Sequence, residues 1–311
     1  MSISKHMLCI IDGGMIVLSI SVKEIAVEEY GNCAELVYGD TEVLVTLDFG
    51  PRIVSVVRGG ISNLICNKPD TALGRSHGHK MRITLDKSTN GIYCDNSLVR
   101  YTPMTDGVRF MQTITEPAQL EVIMDVSFSE KGEIVVEHSV FNKSKEAVKL
   151  SIYTETPFVP DGFVFIPQGT VVDPERPSRI LTLWDNCKWS DKRLFIGDKY
   201  VTVHCIDNPD NSRLKIGVND TDGIVGYIGR KGSVIKSYTH NTNALYPFYN
   251  CSSFVIAAPD YVSIQMTSPF YLVEPDEAAR HIETWKLFSP DINAEFDDEE
   301  AISSITCLSE V

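Results

Sequence analysis

The chain has 311 residues, 43% of them hydrophobic, and a formal net charge of −14 at pH 7. The hydrophobic share is ordinary for a chain with a packed core, and the length suits one large domain or two medium ones. Such acidity is poorly matched to nucleic acid or an anionic membrane surface, so neither is an expected partner.

Residues 8–20 form the first apolar stretch, but Asp12, Gly13 and Gly14 interrupt it, and it is too short to span a bilayer. No small-residue cleavage site of the usual kind follows, so no signal peptide is expected. The eight cysteines (Cys9, Cys33, Cys66, Cys94, Cys187, Cys205, Cys251, Cys307) are scattered and form no CxxC pair. A zinc ribbon or redox dithiol therefore has no support. Without a secretory signal the cysteines read as reduced and mostly buried, and the protein as cytoplasmic.

The apolar run 43–47 predicts a strand, Gly50-Pro51 breaks it, and a second strand leaves through Arg52-Ile53-Val54. Arg52, beside the break, could donate two hydrogen bonds to hydroxyls or a carboxylate. In Gly78-His79-Lys80-Met81-Arg82, Lys80 and Arg82 share a face two residues apart. His77 and His79 could lie on one side of a strand as metal ligands do, but no third ligand is signalled, so no metal is expected. Residues 120–128 and 133–142, joined by Ser129-Glu130-Lys131-Gly132, read as two strands and a turn.

Tyr153-Thr154-Glu155-Thr156-Pro157 follows, with Glu155 in a predicted loop. The strand and turn rhythm returns at 197–205, 223–238 and 252–266. Lys215 and Lys236 sit inside otherwise apolar strands. Desolvating an ammonium is costly, so each is expected either at a strand edge or in a polar cleft. Along 261–269, alternation puts Val262, Ile264 and Met266 on one face and Ser263, Gln265 and Thr267 on the other. Residues 275–279 predict one turn. Asp297-Asp298-Glu299-Glu300 reads as part of a solvated acidic tail, about 289–311.

No window of twelve or more residues keeps a clean 3.6-residue period, so helices should be few and short. Helical crossovers are missing, which favours two stacked antiparallel sheets over an α/β fold. No linker divides the chain, so residues 1–311 read as a single domain. No GxGxxG or GxxxxGK[ST] motif occurs, and no cofactor is expected.

A set of landmarks occurs in order: Gly50-Pro51-Arg52-Ile53, Gly78-His79-Lys80-Met81-Arg82, residues 137–142, Trp184, Asp191-Lys192-Arg193, residues 214–217, residues 234–236, Tyr246-Pro247, Asn250-Cys251, residues 272–277, and His281-Ile282-Glu283 with Trp285. Over about residues 15 to 288 this order resembles the galactose mutarotase-like (aldose 1-epimerase-like) superfamily, and most closely a bacterial branch of it. The resemblance implies an all-β supersandwich of two large antiparallel sheets with a sugar cleft on one concave face. It also implies a glutamate as general base and a histidine as general acid, which move a proton between the anomeric hydroxyl and the ring oxygen.

By position, Gln265 stands where that glutamate belongs, and an amide cannot take up a proton at physiological pH. Tyr153-Thr154-Glu155 stands where the histidine is expected. The catalytic candidates are therefore Gln265 in the base position, His79, and Glu155 as the best remaining carboxylate. Substrate-binding candidates are Arg52, Lys80, Arg82, Lys215, Lys236, Trp184 and Tyr246. The two aromatic residues could stack on a sugar ring or belong to the core. Arg52, His79, Arg82, Lys215, Lys236 and Gln265 are expected to converge on one face.

The first functional reading is a carbohydrate-binding mutarotase-like protein, a sugar isomerase or epimerase with altered catalytic residues. The second is a non-catalytic sugar sensor or accessory protein. The third is a lyase or hydrolase acting on an acidic sugar, which the missing export signal disfavours. The expected partner is a sugar or sugar-acid small molecule, because Arg52, Lys80, Arg82, Lys215 and Lys236 suit a carboxylate or phosphate. The oligomeric state stays open.

Overall fold

The computed structural model describes residues 3–11, 14–66, 69–70, 75–76, 78–86, 92–93, 97–114, 119–169, 175, 179–205, 212–292 and 294–310. Two large sheets and a smaller N-terminal one carry the chain. The ten-stranded sheet opens on the meander Arg100–Pro103, Gly107–Ile114, Leu120–Phe128 and Ile134–Asn142. It continues through Ala278–Phe288, Gly232–Tyr238, Ile224–Gly229, Gly162–Pro167, Tyr200–His204 and Leu194–Ile196. The eight-stranded sheet runs Leu181–Leu183, Leu214–Val218, Ser253–Ala257, Val262–Thr267, Val148–Phe158, Lys80–Leu85 and Ile92–Tyr93, and Tyr271–Val273 also pairs with Val148–Phe158. The strand pairs of both sheets are antiparallel. This is the expected all-β sandwich.

A five-stranded meander, Ile3–Ile11, Gly14–Val27, Gly31–Tyr38, Thr41–Thr46 and Ile53–Arg58, adds a third sheet. Alternation explains how these layers share a core. Leu36, Val43 and Ile53 of the meander, Val126, Val136 and Trp285 of the ten-stranded sheet, and Ile216, Ile264 and Met266 of the eight-stranded sheet are all buried in one cluster. The meander is tied to the eight-stranded sheet at Ile53 and His79, whose backbones exchange two hydrogen bonds (2.8 and 3.0 Å). Gly78 makes that junction possible. Its φ is +69°, and a Cβ there would lie 3.0 Å from the Ile53 carbonyl oxygen and 3.1 Å from Val54.

Helix is short, as expected, but the acidic C-terminal stretch is not a solvated tail. Residues Glu299–Glu310 form a twelve-residue helix. Asp298 caps it by accepting the Ala301 N–H at 3.0 Å. Ile302 and Ile305 are buried against Phe163, Phe165, Tyr200 and Ile235. The Glu299 carboxylate accepts the backbone N–H groups of Asp198, Lys199 and Tyr200 at 3.2, 2.7 and 2.9 Å. The helix escapes a periodicity reading because Ser303, Ser304 and Thr306 break its apolar stripe; their hydroxyls donate to carbonyls four residues back. Cys33, Cys66 and Cys251 are buried, Cys187 and Cys205 half-buried, and Cys307 exposed.

Candidate functional site

The strand Val148–Phe158 organises the site. Glu155, expected in a loop, lies within it. On one side Glu155 pairs with Lys80 and Tyr153 with Arg82; on the other Glu155 pairs with Gln265. One strand further out Phe254 faces Gln265, and beyond that Lys215 faces Ile256. Thr154 and Thr156 point the other way, into the space between the large sheets, where they bond Glu283 and His79. By the two-residue period, Tyr153 and Glu155 lie on the face turned away from the ten-stranded sheet.

On that outer face opens a cleft of about 640 Å³, a size typical of small-molecule sites. Glu155 and Gln265 form its floor, Lys80 and Arg82 one flank, and Trp184 and Lys215 the other. The floor is stiffened by hydrogen bonds and stacking. The Tyr153 hydroxyl donates to the Gln265 side-chain oxygen. Arg82 lies over the Tyr153 ring, its Cζ 4.0 Å from the centroid. The Ser263 hydroxyl donates to Glu155 at 3.4 Å. On the far flank Lys215 Nζ sits 4.2 Å above the Trp184 ring, so one indole face is covered by the ammonium. Burial pushes the Lys215 ammonium down to about 8. The like charges of Arg82 and Arg213 push in the same direction, and Glu155 opposes them.

Lys80, Arg82, Glu155, Trp184, Lys215 and Gln265 are thus brought together. Four expected site residues are not. Arg52 is 2% exposed; its N–H donates to Thr46 Oγ1 at 3.2 Å and its guanidinium lies 5.6 Å from the Phe49 ring. Tyr246 is buried, stacked 4.7 Å from His240, and its hydroxyl accepts the Asn241 N–H at 2.8 Å. His79 and Lys236 are fully buried between the sheets. These four positions therefore correct the expected site: the chain packs them into the interior, away from the cleft.

His79 and Lys236 belong to a polar cluster beneath the cleft floor. Lys236 Nζ is 2.7 Å from Glu283 and donates to Thr156 Oγ1 at 2.6 Å. His79 Nδ1 is 2.8 Å from Thr156 Oγ1 and its Nε2 is 2.9 Å from His138 Nε2. Glu283 also accepts from the Thr154 hydroxyl and, at 2.9 Å, from the Trp285 indole. Burial alone would raise the Glu283 carboxyl, but Lys236 holds it well below the usual range. Burial lowers both imidazoles, His138 to about 3, so they are neutral at physiological pH. Both ring nitrogens of His79 are engaged within the protein, with Thr156 and His138; His77 lies outside the described residues. No group of three or more potential metal ligands occurs among the described residues.

Among the cleft residues that the sequence reading did not name are Arg213 and Tyr261. Arg213 lines the outer flank two residues before Lys215, and its guanidinium donates to the Tyr261 hydroxyl. Tyr261 lies four residues before Gln265, on the same alternation that placed Gln265. The period of two extended one step further would have found both.

No protein-family model matches the chain, and no curated protein does. Solved structures do. A galactose mutarotase-like protein from Clostridium acetobutylicum superposes with a TM-score of 0.52 at 13% identity, over 86% of this chain and 98% of its own. A galactose mutarotase-like protein from Lactobacillus casei gives 0.54 at 8% identity, over 86% and 99%. A TPR-domain containing protein from Parabacteroides distasonis gives 0.58 at 11% identity, over 96% of this chain and 56% of its own. With stacked antiparallel sheets and matches that span nearly the whole of two such proteins, the chain has the galactose mutarotase-like fold.

Proposed function

We propose that the cleft binds a sugar and transfers protons at its anomeric centre, using Glu155 and Lys215 in place of the glutamate and histidine that the fold's resemblance implies. One observation carries this reading: a carboxylate and an amine line one cleft, and the amine's pKa of about 8 lets it give and regain a proton near neutral pH. In the proposed step the Glu155 carboxylate takes the proton of the anomeric hydroxyl while the bond from C1 to the ring oxygen breaks. The Lys215 ammonium protonates the ring oxygen. The open-chain aldehyde rotates and closes on its other face as both protons return. Gln265 hydrogen-bonds a hydroxyl and holds the ring.

Gln265 itself favours the second reading, a sugar-binding protein without chemistry, because the expected base position is non-titratable and His79 is buried beneath the floor. Proton NMR of freshly dissolved α-anomers separates the two. Acceleration by wild-type protein that is lost in Glu155→Gln supports the isomerase. Saturable binding without acceleration supports the binding protein. Equal acceleration by wild type and Glu155→Gln overturns the assignment of Glu155.

A further inference from the structure

Against a chain charge of −14, four cationic side chains line the cleft, Lys80, Arg82, Arg213 and Lys215, with two carboxylates, Glu155 and Asp185. The cations arrive from both flanks. Lys80 and Arg82 are two residues apart on the Lys80–Leu85 strand, and Arg213 and Lys215 flank Leu214 on the opposite side of the floor. Arg82 and Arg213 are both near enough to push the Lys215 ammonium down.

Lys80 is the most telling of the four. It is 8% exposed, what surface it keeps lies in the cleft, and among the described residues its ammonium has neither a carboxylate nor a hydrogen-bond partner. Among the described residues Lys215 Nζ likewise has no ion pair or hydrogen bond; Trp184 at 4.2 Å and Phe254 at 5.8 Å lie against it, and Glu155 acts on its charge without closing a salt bridge. Gathering desolvated like charges costs stability. The interior shows that this chain can neutralise a buried lysine when the fold needs it, because Lys236 has Glu283 at 2.7 Å. Lys80 is left open instead.

Resting on the sugar reading above, we infer that the substrate carries an anionic group, a carboxylate or a phosphate, held by Lys80 with Arg82, Arg213 and Lys215 around it. The sugar ring then lies over Glu155 and Gln265, and the anion completes the charge balance of the site. Carboxylate and phosphate share this chemistry, and a ligand panel tells them apart.

The test is calorimetric binding of glucose, galactose, glucuronate, galacturonate, glucose 6-phosphate, galactose 6-phosphate and inorganic phosphate to wild type and to Lys80→Gln. A sugar acid or sugar phosphate should bind at least ~10-fold more tightly than its neutral parent, and its affinity should fall as salt is raised. Whichever of the two classes binds identifies the anion. Lys80→Gln should weaken that ligand by ~10- to 100-fold while matching or exceeding wild type in melting temperature, because it removes an uncompensated charge. The exposed Arg213→Ala variant should weaken the same ligand if Lys80→Gln fails to fold. Neutral sugars binding as tightly as anionic ones would overturn the inference and leave the sugar reading standing. Inorganic phosphate binding as tightly as the sugar phosphates would overturn the sugar reading. No binding by any anionic sugar would overturn the inference outright.

Discussion

Glu155 and Gln265 face each other on neighbouring antiparallel strands. The carboxylate that the cleft offers is therefore one strand away from the position where a mutarotase glutamate is expected. Directly opposed side chains of this kind start about 5 Å apart at Cβ. Both line the same cleft, and Gln265 is fixed in place by the Tyr153 hydroxyl. Glu155→Gln should lower the anomerisation rate by ~100- to 10,000-fold. Adding Gln265→Glu to that variant should return part of the rate, because a carboxylate there still accepts the Tyr153 hydroxyl. Magnetisation-transfer NMR between anomers measures both. A double variant as slow as Glu155→Gln alone would show that the Gln265 position cannot serve as base.

Lys215 supplies a pH dependence with a definite sign. Burial, together with Arg82 and Arg213, brings its ammonium down to about 8. Only the charged form can protonate the ring oxygen or hold an anion. Rate and anion affinity should therefore be full between pH 6 and pH 7 and fall through pH 8. Arg213→Ala removes one of the like charges, so the falling limb should move to higher pH. Binding measured from pH 6 to pH 10 in both proteins checks this. A limb that stays in place in Arg213→Ala, or none below pH 10 in wild type, would remove Lys215 from the role.

Much of the fold was legible because strands of period two, broken by Gly, Asn, Asp and Pro, can bury their apolar face only in stacked sheets. The same period put Gln265 on the cleft side of its strand. Alternation says which face a side chain takes, but not what lies across from it. Lys236 was expected at an edge or in a cleft. It is instead buried and paired, because Glu283 on the neighbouring Ala278–Phe288 strand supplies the opposite charge. His79 was expected to touch sugar, and its strand does border the cleft, yet its ring turns inward to Thr156 and His138. Both outcomes depend on pairings between residues 47 to 77 positions apart in the chain, which no local pattern reveals.

The Lys236–Glu283 pair has a stability consequence. Both side chains are fully buried. Lys236→Met leaves Glu283 charged and unpaired in the interior, which should cost about 3–5 kcal/mol. Adding Glu283→Gln removes that orphan charge; the amide oxygen still accepts the Trp285 indole N–H, and the Thr154 hydroxyl can turn to accept from the amide N–H, so most of the loss should be recovered. Urea unfolding of wild type, single and double variants measures the coupling. Losses that simply add would show that the two charges do not act as a pair.

Asp220 joins the two large sheets and should make stability depend on pH in a direction opposite to the histidines. It is fully buried and accepts from Ser253 on the eight-stranded sheet at 3.0 Å and Tyr238 on the ten-stranded sheet at 3.2 Å. Gly223 N–H completes its shell at 3.0 Å. Burial pushes its carboxyl up to about 7; Asp222 adds to the shift, while the Ser253, Tyr238 and Gly223 hydrogen bonds oppose it. An unfolded aspartate titrates near pH ~4. Between pH 4 and 7 the folded chain therefore holds a proton that the unfolded chain has released. Stability from this group falls as pH rises through that window, by about 1.4 kcal/mol per unit, and levels off above pH 7. His138, pushed down to about 3, works the other way: its contribution is lost as pH falls below the ~6.5 of an unfolded histidine. Asp220→Asn separates the two, since it removes one titration and leaves His138 untouched. Relative to wild type the variant should gain stability steadily from pH 5 to pH 7 and hold the gain at pH 8. Urea midpoints of both proteins across that range give the difference directly, and a difference that does not change with pH would mean that Asp220 is already ionised in the folded chain at pH 5.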